Sequence, residues 1–181
     1  MNEVINGILN RRSIRAYKPD GVEREKLELI VKAGLYAPTA MNKQQVRLTV
    51  LQGEALEQLM GAIDTAARSS ELAARIKPGE AFRPHYNAPA LILASETSAN
   101  HLGYADCSCA LENMLIAASA LGLGACWINC VYPLCDHEAV RAVLTSIGLP
   151  ADEIVYGSVA VGYPDAAPRE IERKLDRVIW A

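Results

Sequence analysis

The chain has 181 residues, 51% of them apolar and 22% charged, with a formal net charge of −3. That length suits one domain with a sizeable core, and the apolar share excludes intrinsic disorder. The acidic balance, with no basic stripe beyond short local clusters, excludes a nucleic-acid footprint.

In chain order, Val4, Ile5, Ile8 and Leu9 have the spacing of a short amphipathic helix. Arg11-Arg12-Ser13-Ile14-Arg15 follows, three guanidinium groups and a hydroxyl in five residues. Guanidinium presents forked donors that match two phosphate oxygens, and a Ser hydroxyl adds a neutral donor. The plainer alternative is a solvated helix end whose arginines favour the C-terminal dipole. Leu27, Ile30, Val31, Gly34 and Leu35 predict a second helix, led in by Glu23, Glu25 and Lys26 and stopped by Pro38. A polar loop with Thr39, Asn42 and Gln44 then runs into a strand at 46–51. Its carboxamides suit a heteroaromatic edge, since each offers donors and an acceptor, or serve as turn residues bonded to their own backbone.

Leu56, Leu59, Met60 and Ile63 predict a helix over 54–67, after which 74–86 breaks into turns at Lys77-Pro78-Gly79 and Arg83-Pro84. A buried strand is expected at 90–95 and a helix at 104–121 that is apolar on nearly all sides. Such a helix must be covered all round, which in a chain this small points to a second subunit. A strand at 125–128 precedes a helix over 136–147, with Asp136 as N-cap and Gly148 as its stop. A last strand at 155–161 leads to a tail ending in Val178, Ile179 and Trp180.

The five cysteines, Cys107, Cys109, Cys126, Cys130 and Cys135, form no C-x-x-C, and His137 has no ligand-spaced companion, so no metal site is expected. The odd count disfavours a disulfide framework. No secretory h-region is visible, and the least polar stretch, 107–125, contains Glu112 and Asn113. A cytoplasmic protein without a membrane span is the expectation. Gly122-Leu123-Gly124 is a poor dinucleotide loop, because a helix precedes it, a strand follows and the third glycine is missing.

Taken together, the motifs resemble the nitroreductase family of FMN-dependent NAD(P)H oxidoreductases. Residues 11–17 read RRSIRAY against the family's R-R-S-x-R-x-(F/Y), and 37–44 read APTAMNKQ against A-P-S-x-x-N-x-Q. Asn87-Ala88-Pro89, then Asp106 with Asn113-Met114, then Gly122-Leu123-Gly124-Ala125-Cys126-Trp127-Ile128 and Gly162-Tyr163-Pro164 follow in the family's order. The resemblance spans nearly the whole chain, from Asn6 to Trp180.

What it implies is an α+β fold with a mixed central sheet flanked by helices. It also implies one domain over 1–181, an intertwined homodimer, and a tail at 163–181 crossing to the partner. FMN is the implied cofactor and NADH or NADPH the co-substrate; the chemistry belongs to the flavin, with no catalytic side chain. Arg11, Ser13 and Arg15 would meet the FMN phosphate, with Arg12 a weaker candidate. Asn42 and Gln44, from the other subunit, would meet ribityl or ring atoms, and Pro38 and Thr39 are further cofactor-binding candidates. Ile128, Asn129 and Cys130 would pass over the flavin with a backbone N–H near N5, and Arg169, Arg173 and Lys174 would complete the phosphate clamp. Two departures bear on the substrate: Gln45-Val46 replaces the family's Pro-Trp, and Asn129-Cys130 stands where Gly-Gly is common. The implied activity is reduction of a nitroaromatic, quinone or similar small acceptor. Alternatives are a related-fold flavoenzyme for dehalogenation or flavin fragmentation, a flavin store without turnover, and an interaction module without a cofactor.

Overall fold

The computed structural model describes residues 2–168 and 171–180. Helix α1, Glu3–Asn10, starts where the Asn2 side chain accepts the Val4 N–H at 2.8 Å. Its apolar residues have the expected spacing, yet Val4, Ile5, Ile8 and Leu9 are 64%, 47%, 45% and 56% exposed, and no residue of the helix is buried. The chain then extends. Ser13 pairs in parallel with Ala125, Tyr17 pairs with Pro164, and the Ile14 N–H donates to the Ala125 carbonyl at 3.0 Å. Helix α2, Arg24–Leu35, ends before Pro38, as the rule for residues preceding proline requires.

Four strands form the sheet: β1 Arg47–Gln52, β2 Ala90–Thr97, β3 Gly124–Ile128 and β4 Glu153–Gly162, in the order β1-β2-β4-β3. Every hydrogen-bonded pair is antiparallel. The expected mixed sheet is therefore corrected: the parallel pairing is confined to the Ser13–Ala125 bridge. Helix α4, Gly103–Ala120, does carry the chain from β2 over to a strand of the same direction, β3. However, β4 inserts between the two and runs the opposite way.

Helices cover both faces. Ala90, Ile92 and Ala94 pack with Leu27 and Ile30 of α2 and with Leu111 and Met114 of α4. Leu91 and Leu93 point the other way, towards α3 (Gly53–Arg68), α5 (Val131–Leu134) and α6 (Glu138–Ser146). In the middle of the sheet Ala94 pairs with Gly157 but Ser95 pairs with Val155, so Tyr156 is an extra residue that shifts the phase of β4. At the end of β4, Gly162 admits no side chain: a Cβ there would lie 2.6 Å from the Pro89 ring and 2.9 Å from the Tyr17 ring.

Two further expectations are corrected. Helix α6 begins at Glu138, with the N-cap at His137, whose Nδ1 accepts the Ala139 N–H at 3.3 Å; Asp136 instead pairs with Arg141 at 2.7 Å. The short helix α5 has no counterpart in the sequence pattern, its single turn being too brief to show a period. Helix α4 is buried within the chain against the sheet and α2, through Asp106, Cys107, Ala110, Leu111, Met114, Leu115 and Ala118, while Tyr104, Cys109 and Glu112 stay exposed in the single chain. Among the described residues no helix is long and apolar enough to cross a membrane, and no group of metal-ligating side chains occurs.

Candidate functional site

In the extended segment that follows α1, alternate side chains leave on opposite sides, so Arg11, Ser13 and Arg15 share a face and Arg12 does not. Burial pushes the Cys126 thiol up, while Arg15, the Ser13 hydroxyl and Arg11 pull it back down, so all three surround the floor formed by β3. Arg11 has a long contact to Glu112, Nε to Oε1 at 3.5 Å, and the Arg15 guanidinium lies 5.9 Å above the Tyr86 ring. The Arg12 guanidinium instead donates to the Leu9 and Arg11 carbonyls at 2.7 and 2.8 Å, closing the end of α1. The alternative reading of the cluster thus holds for Arg12 alone. The segment is zipped to the end of β4 by Lys18 N–H to the Tyr163 carbonyl at 2.9 Å and Asp165 N–H to the Ala16 carbonyl at 3.0 Å. Tyr163 in turn donates to Glu23 at 2.7 Å and accepts from Lys26 at 2.6 Å.

Strand β3 leads from this cluster to Ile128, Asn129 and Cys130, which form one wall of a hollow of about 420 Å³. Phe82, Tyr86 and Trp127 supply aromatic walls, and Arg75 and Arg83 supply cations. Arg83 is paired with Glu57 at 2.7 Å. The Ser158 hydroxyl donates to the Ile128 carbonyl at 2.9 Å, which fixes the last residue of β3. Burial pushes the Cys130 thiol up to about 12, so it stays a neutral thiol at physiological pH and not a nucleophilic thiolate. Phe82, Tyr86 and the two arginines were not legible in the sequence, because 74–86 has no periodicity; the chain there runs through a short 3-10 helix, Glu71–Arg75, and turns.

Pro38 and Thr39 open the second candidate segment. Thr39 precedes a 3-10 turn, Ala40–Asn42, and its hydroxyl accepts the Gln44 N–H at 3.0 Å. The Gln44 amide donates to the Asn42 side chain at 3.0 Å. Met41, Asn42 and Gln44 have φ of 53°, 53° and 52°, a left-handed run costly for side chains other than Asn and found where a fold over-determines its backbone. Asn42 and Gln44 are exposed.

The structure does not bring this loop to the arginine segment. It enters the sheet through β1 at one edge, whereas Ser13 lies beside β3 at the other, with β2 and β4 between them. No hydrogen bond among the described residues joins them. Arg173 and Lys174 lie in an exposed tail without helix or strand, and Arg169 falls outside the described residues. Of the histidines, His85 is buried, His101 is exposed and His137 caps α6; none has a hydrogen bond to a nucleophile or carboxylate.

The profile of the nitroreductase family matches residues 8–163. A nitroreductase from Bacteroides fragilis, crystallised with bound FMN, superposes with a TM-score of 0.94 at 36% identity, covering 100% of both chains. The FMN reductase [NAD(P)H] of Bacillus subtilis is 29% identical over 91% of this chain and 67% of its own. The NADPH-flavin oxidoreductase of Vibrio harveyi is 26% identical over 97% of this chain and 71% of its own. With a family match over most of its length and the arginine, amide and β3 motifs placed as above, the chain belongs to the nitroreductase family.

Proposed function

We propose that the protein is an FMN-dependent oxidoreductase. It takes hydride from NADH or NADPH and reduces a small nitroaromatic, quinone or similar acceptor by a ping-pong scheme, in the cytoplasm, as a homodimer of one-domain subunits. The observation that carries this reading is the placement of Arg11, Ser13 and Arg15 beside β3, where Ser13 bridges to Ala125 and the Arg15 guanidinium lies 5.9 Å from the ring of Tyr86, which also lines the hollow beside Asn129 and Cys130. The donor set fits the group. Two guanidiniums and a hydroxyl suit a phosphate dianion, and the charge of the nearby carboxylate, Glu112, is offset by its 3.5 Å pairing with Arg11. Aromatic walls beyond it suit a flat heteroaromatic ring.

When bound, FMN supplies the two-electron chemistry, and the protein's task is to hold and tune it. Arg11, Ser13 and Arg15 bind the phosphate. Backbone N–H groups of 128–130 orient the ring edge, and Trp127, Phe82 and Tyr86 keep water from its face. Asn42 and Gln44 of a second copy supply the amides that one chain cannot bring to its own arginines. Arg173 and Lys174 of the tail, with Arg169, complete the phosphate shell once the tail is docked across the dimer. The exposed apolar residues of α1 and of the tail, Ile179 and Trp180 among them, provide the surface that such a dimer covers.

Two measurements test the reading. Anaerobic stopped-flow with NADH or NADPH should bleach the bound flavin within the turnover time. His85→Ala, His101→Ala and His137→Ala should each stay within about tenfold of the parent, since a general acid–base residue would be worth about 10²–10⁴-fold. A flavin that is bound but stays oxidised identifies a store instead. Sedimentation at low micromolar concentration should show dimer alone, with an interface above about 2,000 Å². A folded monomer that keeps FMN overturns the shared site.

A further inference from the structure

Asp106, in the first turn of α4, is 5% exposed and forms no ion pair among the described residues. Burying a carboxylate this way is costly unless hydrogen bonds compensate it. Both of its oxygens are engaged. Oδ1 accepts the Ala40 N–H at 2.9 Å, and Oδ2 faces the Asn100 side-chain amide at 3.4 Å. The same amide donates to Glu96, a fully buried residue of β2, and the Asn100 carbonyl oxygen accepts the Leu102 N–H at 3.2 Å. Asp106 is thus braced through Asn100 against the central sheet.

The other end of that brace is the loop carrying Asn42 and Gln44. Its remaining hydrogen bonds, Gln44 N–H to the Thr39 hydroxyl, the Gln44 amide to the Asn42 side-chain oxygen, Asn42 N–H to the Thr39 carbonyl and Lys43 N–H to the Ala40 carbonyl, all close within the loop. They shape it but do not anchor it. Among the described residues the hydrogen bond that ties it to the scaffold is Ala40 to Asp106. We propose that Asp106 is a positioning residue: it fixes the loop 38–44 in the place from which Asn42 and Gln44 reach the flavin of a second copy. The donor it holds, the first N–H of the 3-10 turn, has no partner within the turn. In a loop with three left-handed residues, where Met41 to Gln44 are exposed and only Thr39 and Ala40 are half-buried, little packing is left to hold Asn42 and Gln44 in place if that bond is lost.

This inference rests on the reading of 38–44 as a flavin-contacting loop, and the experiment separates the two. Asp106→Ala removes the acceptor. Ala40→Pro removes the donor and leaves Asp106 and α4 untouched; Thr39, at φ −128° and ψ 152°, already has the extended backbone that a following proline demands. Each purified full-length variant is titrated with FMN, its bound-flavin absorption spectrum is recorded, and its melting temperature is measured. Asn42→Ala and Gln44→Ala serve as references. Both brace variants should weaken FMN about tenfold, within the range lost with one charge-assisted hydrogen bond, and shift the flavin band in the direction that Asn42→Ala and Gln44→Ala shift it. If the amide variants move affinity and spectrum but Ala40→Pro matches the parent in both, Asp106 holds only the fold and the inference is overturned. If neither amide variant moves either quantity, the loop does not touch the flavin and the underlying reading fails with it.

Discussion

Arg15→Ala and Arg11→Ala should each weaken FMN by one to two decades. A hydrogen bond to a charged group contributes about 1.5–3 kcal/mol, and every 1.4 kcal/mol is tenfold in affinity. The two are not equivalent. Arg11 has Glu112 at 3.5 Å and keeps part of its interaction when no phosphate is present, whereas Arg15 rests on the face of Tyr86 and has no carboxylate partner among the described residues. Removing Arg15 should therefore have the larger effect. Arg12→Ala supplies the contrast: its guanidinium closes α1 through two carbonyls, so affinity should change by less than about threefold while the helix end frays. Titration of FMN by fluorescence quenching reads all three. Unchanged affinity in both Arg11→Ala and Arg15→Ala would remove the phosphate from this face of β3.

The second large effect is a loss of stability in mild acid centred on His85. The imidazole is 1% exposed, with Nδ1 lacking a hydrogen-bond partner. Burial lowers its pKa to about 4, with Arg83 acting in the same direction and Glu57 opposing. The unfolded chain takes up its proton near the ordinary histidine value of about 6.5, the folded chain only near about 4. The neutral, buried form is thus an advantage of the fold above about pH 6.5, and it drains away as pH falls towards about 4. Between pH 7 and pH 4 the loss amounts to roughly 3 kcal/mol. Urea unfolding of the apoprotein at the two pH values, for the parent and for His85→Leu, isolates it: the parent should lose this increment and the variant should not. Parallel losses would place the acid sensitivity elsewhere.

The long elements were legible because each carries its own period. The apolar stripes of α2 and α3 and the continuous run of β2 survive in the structure within a residue or two. What failed was short or relational. A single turn such as α5 has no period, and whether Asp136 or His137 caps α6 depends on Arg141 lying close enough to claim the aspartate. The arginine motif showed which residue types were present but not their directions. An extended backbone sends Arg12 away from its neighbours, a fact decided by the pairing of Ser13 with Ala125, more than a hundred residues distant. The far wall of the hollow, Arg75 to Tyr86, is assembled from turns whose meaning depends on the sheet behind them.

Helix α1 has a consequence for how the cofactor is kept. With eight residues and no buried side chain, it is far below the length at which a helix holds itself together in water. Its end runs directly into Arg11, so the order of that first residue of the proposed phosphate segment, which precedes the anchoring of Ser13 and Ile14 on β3, depends on whatever covers Val4, Ile5, Ile8 and Leu9. In the proposed dimer that cover is the neighbouring copy, and assembly and flavin loading become two faces of one equilibrium. Each bound flavin then strengthens the pairing of subunits by the same factor by which pairing strengthens the grip on flavin. Protein concentration, as much as FMN concentration, would set how much of the enzyme is yellow, and dilution alone would bleed colour from it.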